Sequence, residues 1–175
     1  MNIKTNIVII ILLIIISCGS NKQEEANEII SDFYIENHID SRETIFNVQA
    51  ISKNGIVILE GETDRADLKE NLLYLLTDIK IEDKIKLLPD IKAGENTFGL
   101  VNISVANLRS EANHSAELVS QALMGTPVKI LKIEDGWLLI QTPDKYISWI
   151  DPNGIFTVSA SEIEAWRNAN RVLFN

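Results

Sequence analysis

The stretch that decides the fold is VKILKIEDGWLLIQTPDKYISWI, residues 128–150. It contains three short strand-like runs, Val128–Glu134, Trp137–Thr142 and Tyr146–Ile150, with turn residues between them. Short strands separated by turns at intervals of about eight to twelve residues predict a small β-barrel. Aromatic residues in such runs either fill the core of a barrel or line a ligand groove, and this stretch has three: Trp137, Tyr146 and Trp149.

Two further runs extend the pattern, Gly99–Val105 before the stretch and Ile155–Val158 after it. Together the five runs predict a half-open β-barrel. Trp137 begins a central strand, which favours a place in the core. Tyr146 and Trp149 are three residues apart in one strand and point to opposite faces, so one can be buried while the other lines an outer groove.

The first half of the chain predicts a second, smaller α+β unit. Apolar residues recur at three- and four-residue steps over residues 24–37 and again over 64–78, which predicts two amphipathic helices, the second capped by Asp64. Between them, Asn54-Gly55 joins two strand-like runs and predicts a hairpin. The run Lys84–Pro89 predicts a third strand, so the order is helix, strand, strand, helix, strand.

The N-terminus predicts an export signal. Lys4 precedes an unbroken apolar run, Ile7–Ile16, which would rise only about 15 Å as a helix and is too short to cross a bilayer. The run ends in Ile15-Ile16-Ser17-Cys18, which resembles the lipobox of bacterial lipoproteins. By this resemblance, Cys18 becomes the first residue of the mature chain and carries a lipid that anchors the protein to a membrane.

These patterns predict a fold of class α+β with several distinct segments. The segments are a signal peptide (1–17), a lipidated tether (18–24), an α+β unit (25–90), a linker (91–97), the barrel (98–158) and a C-terminal helix (159–175). The C-terminal helix begins with Ser159 and Glu162 at the spacing of a capping box.

Composition limits the function classes. The net charge of −9 argues against nucleic acid as a partner, because binding to phosphates requires a basic surface. Cys18 is the only cysteine, so we expect no disulfide within the chain, no cysteine nucleophile and no thiolate metal site. His38 and His114 are each isolated, which favours surface or loop-bracing histidines over metal ligands. We therefore expect no metal and no cofactor.

The two halves resemble known bacterial modules. The first unit, with its hairpin NGIVILEGET (54–63), resembles the BON fold, which is usually assigned to binding or docking in bacterial envelope proteins. The second resembles the bacterial SH3-type domain of NlpC-type envelope lipoproteins of Bacteroidetes. The residues that carry this resemblance are Asn107-Leu108-Arg109, Glu117–Gln121, Gly125, Gly136-Trp137 and Pro143–Trp149. Lys145 and Ser148 stand where that pattern usually has glycine.

The resemblance implies an SH3-like five-stranded barrel and a function at the cell wall. The NlpC-type relatives are cysteine peptidases that cleave the γ-D-glutamyl–diamino-acid bond of murein peptides. In those relatives, an acidic side chain and a tyrosine of the SH3-type unit hold the free amino terminus of the murein peptide. These roles transfer to Glu117 and Tyr146, with Trp149 as a further groove residue. Arg109 is expected to pin the long first loop through hydrogen bonds to carbonyl groups.

The catalytic domain of those relatives follows the SH3-type unit, whereas this sequence stops at Asn175. We therefore expect a non-catalytic, lipid-anchored protein of the cell envelope whose barrel binds murein stem peptides. One alternative is a truncated form of an active NlpC-type peptidase, with the cysteine nucleophile further along the chain. A second alternative is a scaffold that docks other envelope proteins.

Overall fold

The computed structural model describes residues 22–90 and 96–170. The predicted signal peptide, Cys18 and residues 91–95 of the predicted linker lie outside these ranges, as do residues 171–175. Within the described ranges, no helix is long and apolar enough to cross a membrane. The chain divides into two compact units, and each has its own hydrophobic core.

The first unit comprises the described residues up to Asp40 together with Ile45–Leu87. Its elements are helix α1 (22–36), strands β1 (Phe46–Lys53) and β2 (Ile56–Thr63), helix α2 (Ala66–Leu75) and strand β3 (Ile81–Leu87). The order of elements is therefore the predicted one. In the sheet, β2 lies between β1 and β3, antiparallel to β1 and parallel to β3.

The hairpin turn at Asn54-Gly55 and the two amphipathic helices are both present as the sequence predicted. Asn54 and Gly55 have φ angles of 53° and 76°, the left-handed values that a two-residue hairpin turn needs. The apolar stripes of the two helices meet one face of the sheet in a single cluster. Its most deeply buried large side chains are Leu59, Leu72 and Leu76.

The predicted helix cap at Asp64 is wrong. Helix α2 has Arg65 at its N-cap position, with no side-chain hydrogen bond there. The Asp64 carboxylate instead accepts a hydrogen bond of 2.8 Å from the backbone amide of Ile45. The carboxylate therefore links the end of β2 to the start of β1. An Asp side chain between a strand and a helix can accept a hydrogen bond from either element, and here it accepts one from the neighbouring strand.

The second unit comprises Ser41–Thr44 and the described residues from Leu88 onward. Its strands are β4 (Phe98–Val101), β5 (Val105–Arg109), β6 (Leu118–Leu123), β7 (Pro127–Glu134), β8 (Trp137–Gln141), β9 (Ile147–Ile150) and β10 (Ile155–Val158). A 3-10 turn (Pro152–Gly154) precedes β10, and helix α3 (Ala160–Asn168) follows it. The antiparallel strands form one sheet in the order β10-β4-β7-β8-β9-β5-β6. With the first unit, this confirms the α+β class.

The described sheet has seven strands, where the sequence predicted five. The predicted strand Gly99–Val105 is shorter in the structure, where β4 ends at Val101. Strand β5 begins at Val105 and lies mostly in residues that the sequence assigned to a loop. Strand β6 lies in a segment that the sequence assigned to a long loop. In β6 only Ala122 is buried, while Leu118 and Leu123 are exposed, so the usual hydrophobic alternation is missing from that segment.

The core of the second unit lies on one face of the curved sheet. Leu108, Ile130, Ile140 and Ile150 are almost fully buried there. Helix α3 begins with the predicted capping box, in which Ser159 and Glu162 bond to each other's backbone amides. The described helix ends at Asn168, before the predicted end at residue 175, and buries Ile163.

Candidate functional site

A cleft of about 270 Å³ lies in the second unit, between strand β5, the loop 110–117 and the 3-10 turn. Its walls are partly apolar and partly charged. The residues that line it are Ile103, Val105, Ala106, Asn107, Arg109, His114, Trp137, Ile150, Asp151, Asn153 and Gly154.

The strand register explains why polar residues meet in this cleft. Leu138, Ile150 and Leu108 stand side by side on β8, β9 and β5, and all three belong to the core. Because neighbours along a strand point to opposite faces, the residues next to them point outward. The outward residues around these positions are Trp137, Asp151, Asn107 and Arg109.

Asp151 is held in place by the 3-10 turn that it starts. Its Oδ1 atom accepts hydrogen bonds from the backbone amide and the side-chain amide of Asn153, at 2.9 and 2.8 Å. The other oxygen, Oδ2, lies 3.4 Å from Nε2 of His114. The side chain of Asp151 is one-third exposed, so its carboxylate presents negative charge at one side of the cleft.

Trp137 is half-buried at the edge of the cleft, so the prediction that it belongs to the core is wrong. It starts β8 directly after the turn Asp135-Gly136, on the face opposite to the core residue Leu138. The imidazole of His114 meets the indole edge-on, with 4.9 Å between ring centroids and 65° between planes. His114 therefore braces its loop against Trp137 and Asp151, as the sequence predicted.

Sequence reasoning missed Trp137 and Asp151 as cleft residues. The signal was present, since a count of two residues per repeat from the apolar Leu138 and Ile150 assigns both to the outer face. That assignment also depends on where β8 begins and where the 3-10 turn lies, and the sequence alone did not give these bounds.

Arg109 pins the loop, as predicted, and also faces the cleft. Its Nη1 atom donates a hydrogen bond of 2.9 Å to the carbonyl oxygen of Ala116. The side chain is partly buried, and no carboxylate within the described ranges pairs with it. A guanidinium has five N–H donors, so Arg109 retains donors that no described side-chain acceptor uses.

Two of the predicted ligand residues, Glu117 and Tyr146, lie at the starts of the two strands that flank β5 in the sheet. Glu117 directly precedes β6, and its carbonyl accepts a hydrogen bond of 3.0 Å from Ser110. Tyr146 directly precedes β9 and is half-buried. Since β6 and β9 both run antiparallel to β5, both residues lie where β5 ends. Neither of them lines the cleft.

The third predicted ligand residue, Trp149, lies on the face of the sheet opposite to the core residue Ile150. It is paired in register with Leu139 on one side and with Arg109 on the other. The Nζ atom of Lys132 lies 5.6 Å from the centroid of its ring, within the range of a cation–π contact. Trp149 therefore adjoins Arg109 without lining the cleft itself.

The cleft can bind a small polar group through charge and aromatic contact. Arg109 supplies positive charge, Asp151 supplies negative charge, and Trp137 supplies an indole face. Within residues 22–90 and 96–170, no group of three or more His, Cys, Asp or Glu side chains is placed to hold a metal ion.

Comparison with protein families adds to this geometry. Residues 108–155 match the bacterial dipeptidyl-peptidase Sh3 domain. The matched segment contains the predicted ligand residues and most of the cleft, including Arg109 and Asp151. This confirms the predicted bacterial SH3-type domain. The BON-like assignment of the first unit and the lipoprotein assignment remain predictions.

Comparison with solved structures finds a partial match. The structure of NlpC2 from Trichomonas vaginalis is 19% identical, with a TM-score of 0.31. The match covers 42% of this chain and 25% of that chain, so this chain spans about a quarter of that structure's length. None of the curated proteins compared with this chain matches it.

Proposed function

We propose that this is a non-catalytic protein, anchored to a membrane of the cell envelope through a lipid on Cys18, whose SH3-type domain binds murein stem peptides. The match of residues 108–155 to a bacterial peptidase Sh3 domain is the observation that supports this proposal most directly. A domain of this kind is suited to hold a peptide, because its loops surround an open edge of a rigid sheet.

The proposed binding point is the end of the sheet where β6 and β9 begin, next to Glu117 and Tyr146. Both residues directly precede a strand, so the sheet restricts their backbones. Glu117 is exposed and Tyr146 is half-buried, which leaves the carboxylate accessible and the phenol less mobile. The ammonium of a peptide's free amino terminus would donate a charge-assisted hydrogen bond to the carboxylate and a second hydrogen bond to the phenol oxygen.

A titration with a murein tripeptide tests the proposal. The full chain, labelled with ¹⁵N and held in a mild detergent, is titrated with the tripeptide while amide chemical shifts are recorded. We expect the shifts to change around Glu117 and Tyr146. Acetylation of the tripeptide's amino terminus should weaken binding by about tenfold or more, since a hydrogen bond to a charged group is lost.

Matched variants locate the site. Glu117→Gln removes the carboxylate's charge at nearly constant size and should weaken binding of the free-amine tripeptide by about tenfold. Glu111→Gln makes the same change in the same loop and should leave binding unchanged. If the acetylated and free tripeptides bind equally, recognition of the amino terminus is disproved. If neither shifts any resonance of the barrel, murein binding by this domain is disproved.

A further inference from the structure

We propose that the cleft beside Trp137 is a second peptide site, which takes a peptide carboxylate on Arg109 and an uncharged side chain on the indole of Trp137. This site is separate from the one proposed at Glu117 and Tyr146, because neither of those residues lines it. The proposal does not rest on murein as the ligand of the barrel.

The state of Arg109 argues for an anionic ligand. The guanidinium is partly buried, its side chain bonds to the carbonyl of Ala116, and no carboxylate of the described chain pairs with it. The bond to Ala116 fixes the direction of the planar group and leaves further N–H donors for another partner. A carboxylate fits such a donor pair best, because two parallel hydrogen bonds can form at once.

The other side of the cleft argues for a ligand with an uncharged side chain. Trp137 is half-buried, and the imidazole of His114 contacts its ring, with 65° between the two ring planes. Asp151 lies close by and would repel a second carboxylate, while its accessible oxygen can accept a peptide N–H. The charge pattern therefore gives the ligand a direction, with its carboxylate towards Arg109 and its amide groups towards Asp151.

The size of the cleft limits the ligand to about two residues. Its volume of about 270 Å³ lies below the range of about 300–1,000 Å³ that holds drug-sized ligands. The strand register agrees with this size. Arg109 on β5 pairs with Trp149 on the neighbouring strand β9. Asp151 comes two residues after Trp149 and is therefore the diagonal neighbour of Arg109, at a separation of about 7–8 Å between the two residues' backbones. A dipeptide spans such a separation.

The test uses N-acetyl-glycyl-leucine and its C-terminal amide, which differ only in the carboxylate. Each is titrated into the full ¹⁵N-labelled chain in a mild detergent, and the Nε–H signal of Arg109 and the indole N–H signal of Trp137 are followed. We expect the acid to shift both signals and to bind at least tenfold more tightly than the amide. Neither peptide has a free amine, so the result is independent of the amino-terminal recognition proposed for Glu117 and Tyr146.

Three variants complete the test. Arg109→Gln should weaken binding of the acid at least tenfold, whereas Arg167→Gln, the same change on the exposed face of α3, should have no effect. Because Arg109 also pins the loop, Trp137→Ala provides a second variant that leaves the bond to Ala116 intact, and it should weaken binding about threefold or more. Equal binding of acid and amide, or no shift of either signal with both peptides, would overturn the proposal.

Discussion

Ser148 is buried in the second unit with its hydroxyl unpaired. Its side chain lies on the core face beside Ile140, and its Oγ atom has no hydrogen-bond partner among the described residues. Since a buried unpaired hydroxyl is costly, Ser148→Ala should raise the free energy of unfolding by about 1 kcal/mol. Ser159→Ala is the matched control and should lower it by about 1 kcal/mol, because Ser159 caps helix α3. Urea unfolding measures both. A destabilising Ser148→Ala would show that the hydroxyl has a partner.

At the scale of single residues, the sequence identified unusual positions but did not show their backbone conformation or burial. Lys145 and Ser148 stand out because the SH3-type pattern usually has glycine at both positions. The structure supplies the reasons, since Lys145 has a φ of 70°, in the left-handed region, and Ser148 is buried with its hydroxyl unpaired. Backbone angle and burial are properties of the folded chain, so composition alone could not show them.

The stability of helix α3 should depend on pH through the carboxylate of Glu162. Hydrogen bonds from the backbone amide of Ser159, and then from its hydroxyl, lower the pKa of Glu162 from its usual value of 4.5. Because the pKa is lower in the folded state, the contribution of the carboxylate is complete above pH 4.5 and is lost as the pH falls through the folded pKa. Glu162→Gln removes this titration.

The measurement is the free energy of unfolding of the native chain and of Glu162→Gln across pH 3–7. The native chain should be the more stable at pH 7, and the difference should shrink below pH 4.5. Glu164→Gln, a change in the same helix outside the capping box, serves as the control and should not reproduce this pH dependence. A difference that stays constant down to pH 3 would contradict the role of the Glu162 carboxylate in the cap.

At the scale of elements, the sequence predicted the strands whose large apolar residues point inward. The runs that became β7, β8, β9 and β10 were all recognised. The buried residues of β7, β8 and β10 are valine, leucine and isoleucine, and β9 buries Ile150 together with Ser148. Strand β6 was not recognised, because it buries a small residue, Ala122, and exposes Leu118 and Leu123. Its place in the sheet comes from hydrogen bonding to β5 rather than from its own hydrophobic pattern.

At the scale of the whole molecule, each unit has a core built from its own segments. Leu59 and Leu72 are buried in the cluster of the first unit, and Ile130 and Ile140 in that of the second. The sequence predicted this division because helical periodicity in the first half gives way to short strands in the second. It did not predict that residues Ser41–Thr44 join the second unit. There the amide of Ile147 donates to the carbonyl of Arg42 at 2.7 Å, a backbone contact with no sequence signature.

The proposed anchor and the proposed absence of catalysis both concern the whole protein, and one measurement addresses them together. The intact mass of native protein extracted from the cell envelope should equal that of residues 18–175 plus diacylglycerol and an acyl chain. Cys18→Ser should lack the lipid mass, because a hydroxyl cannot replace the thiol in the thioether, whereas Ser20→Ala should retain it.

A mass of the native protein without lipid would contradict the proposed anchor. A mass larger by a whole domain would instead support the alternative of an active NlpC-type peptidase, because the chain would then continue beyond Asn175 into the region where that family carries its catalytic cysteine.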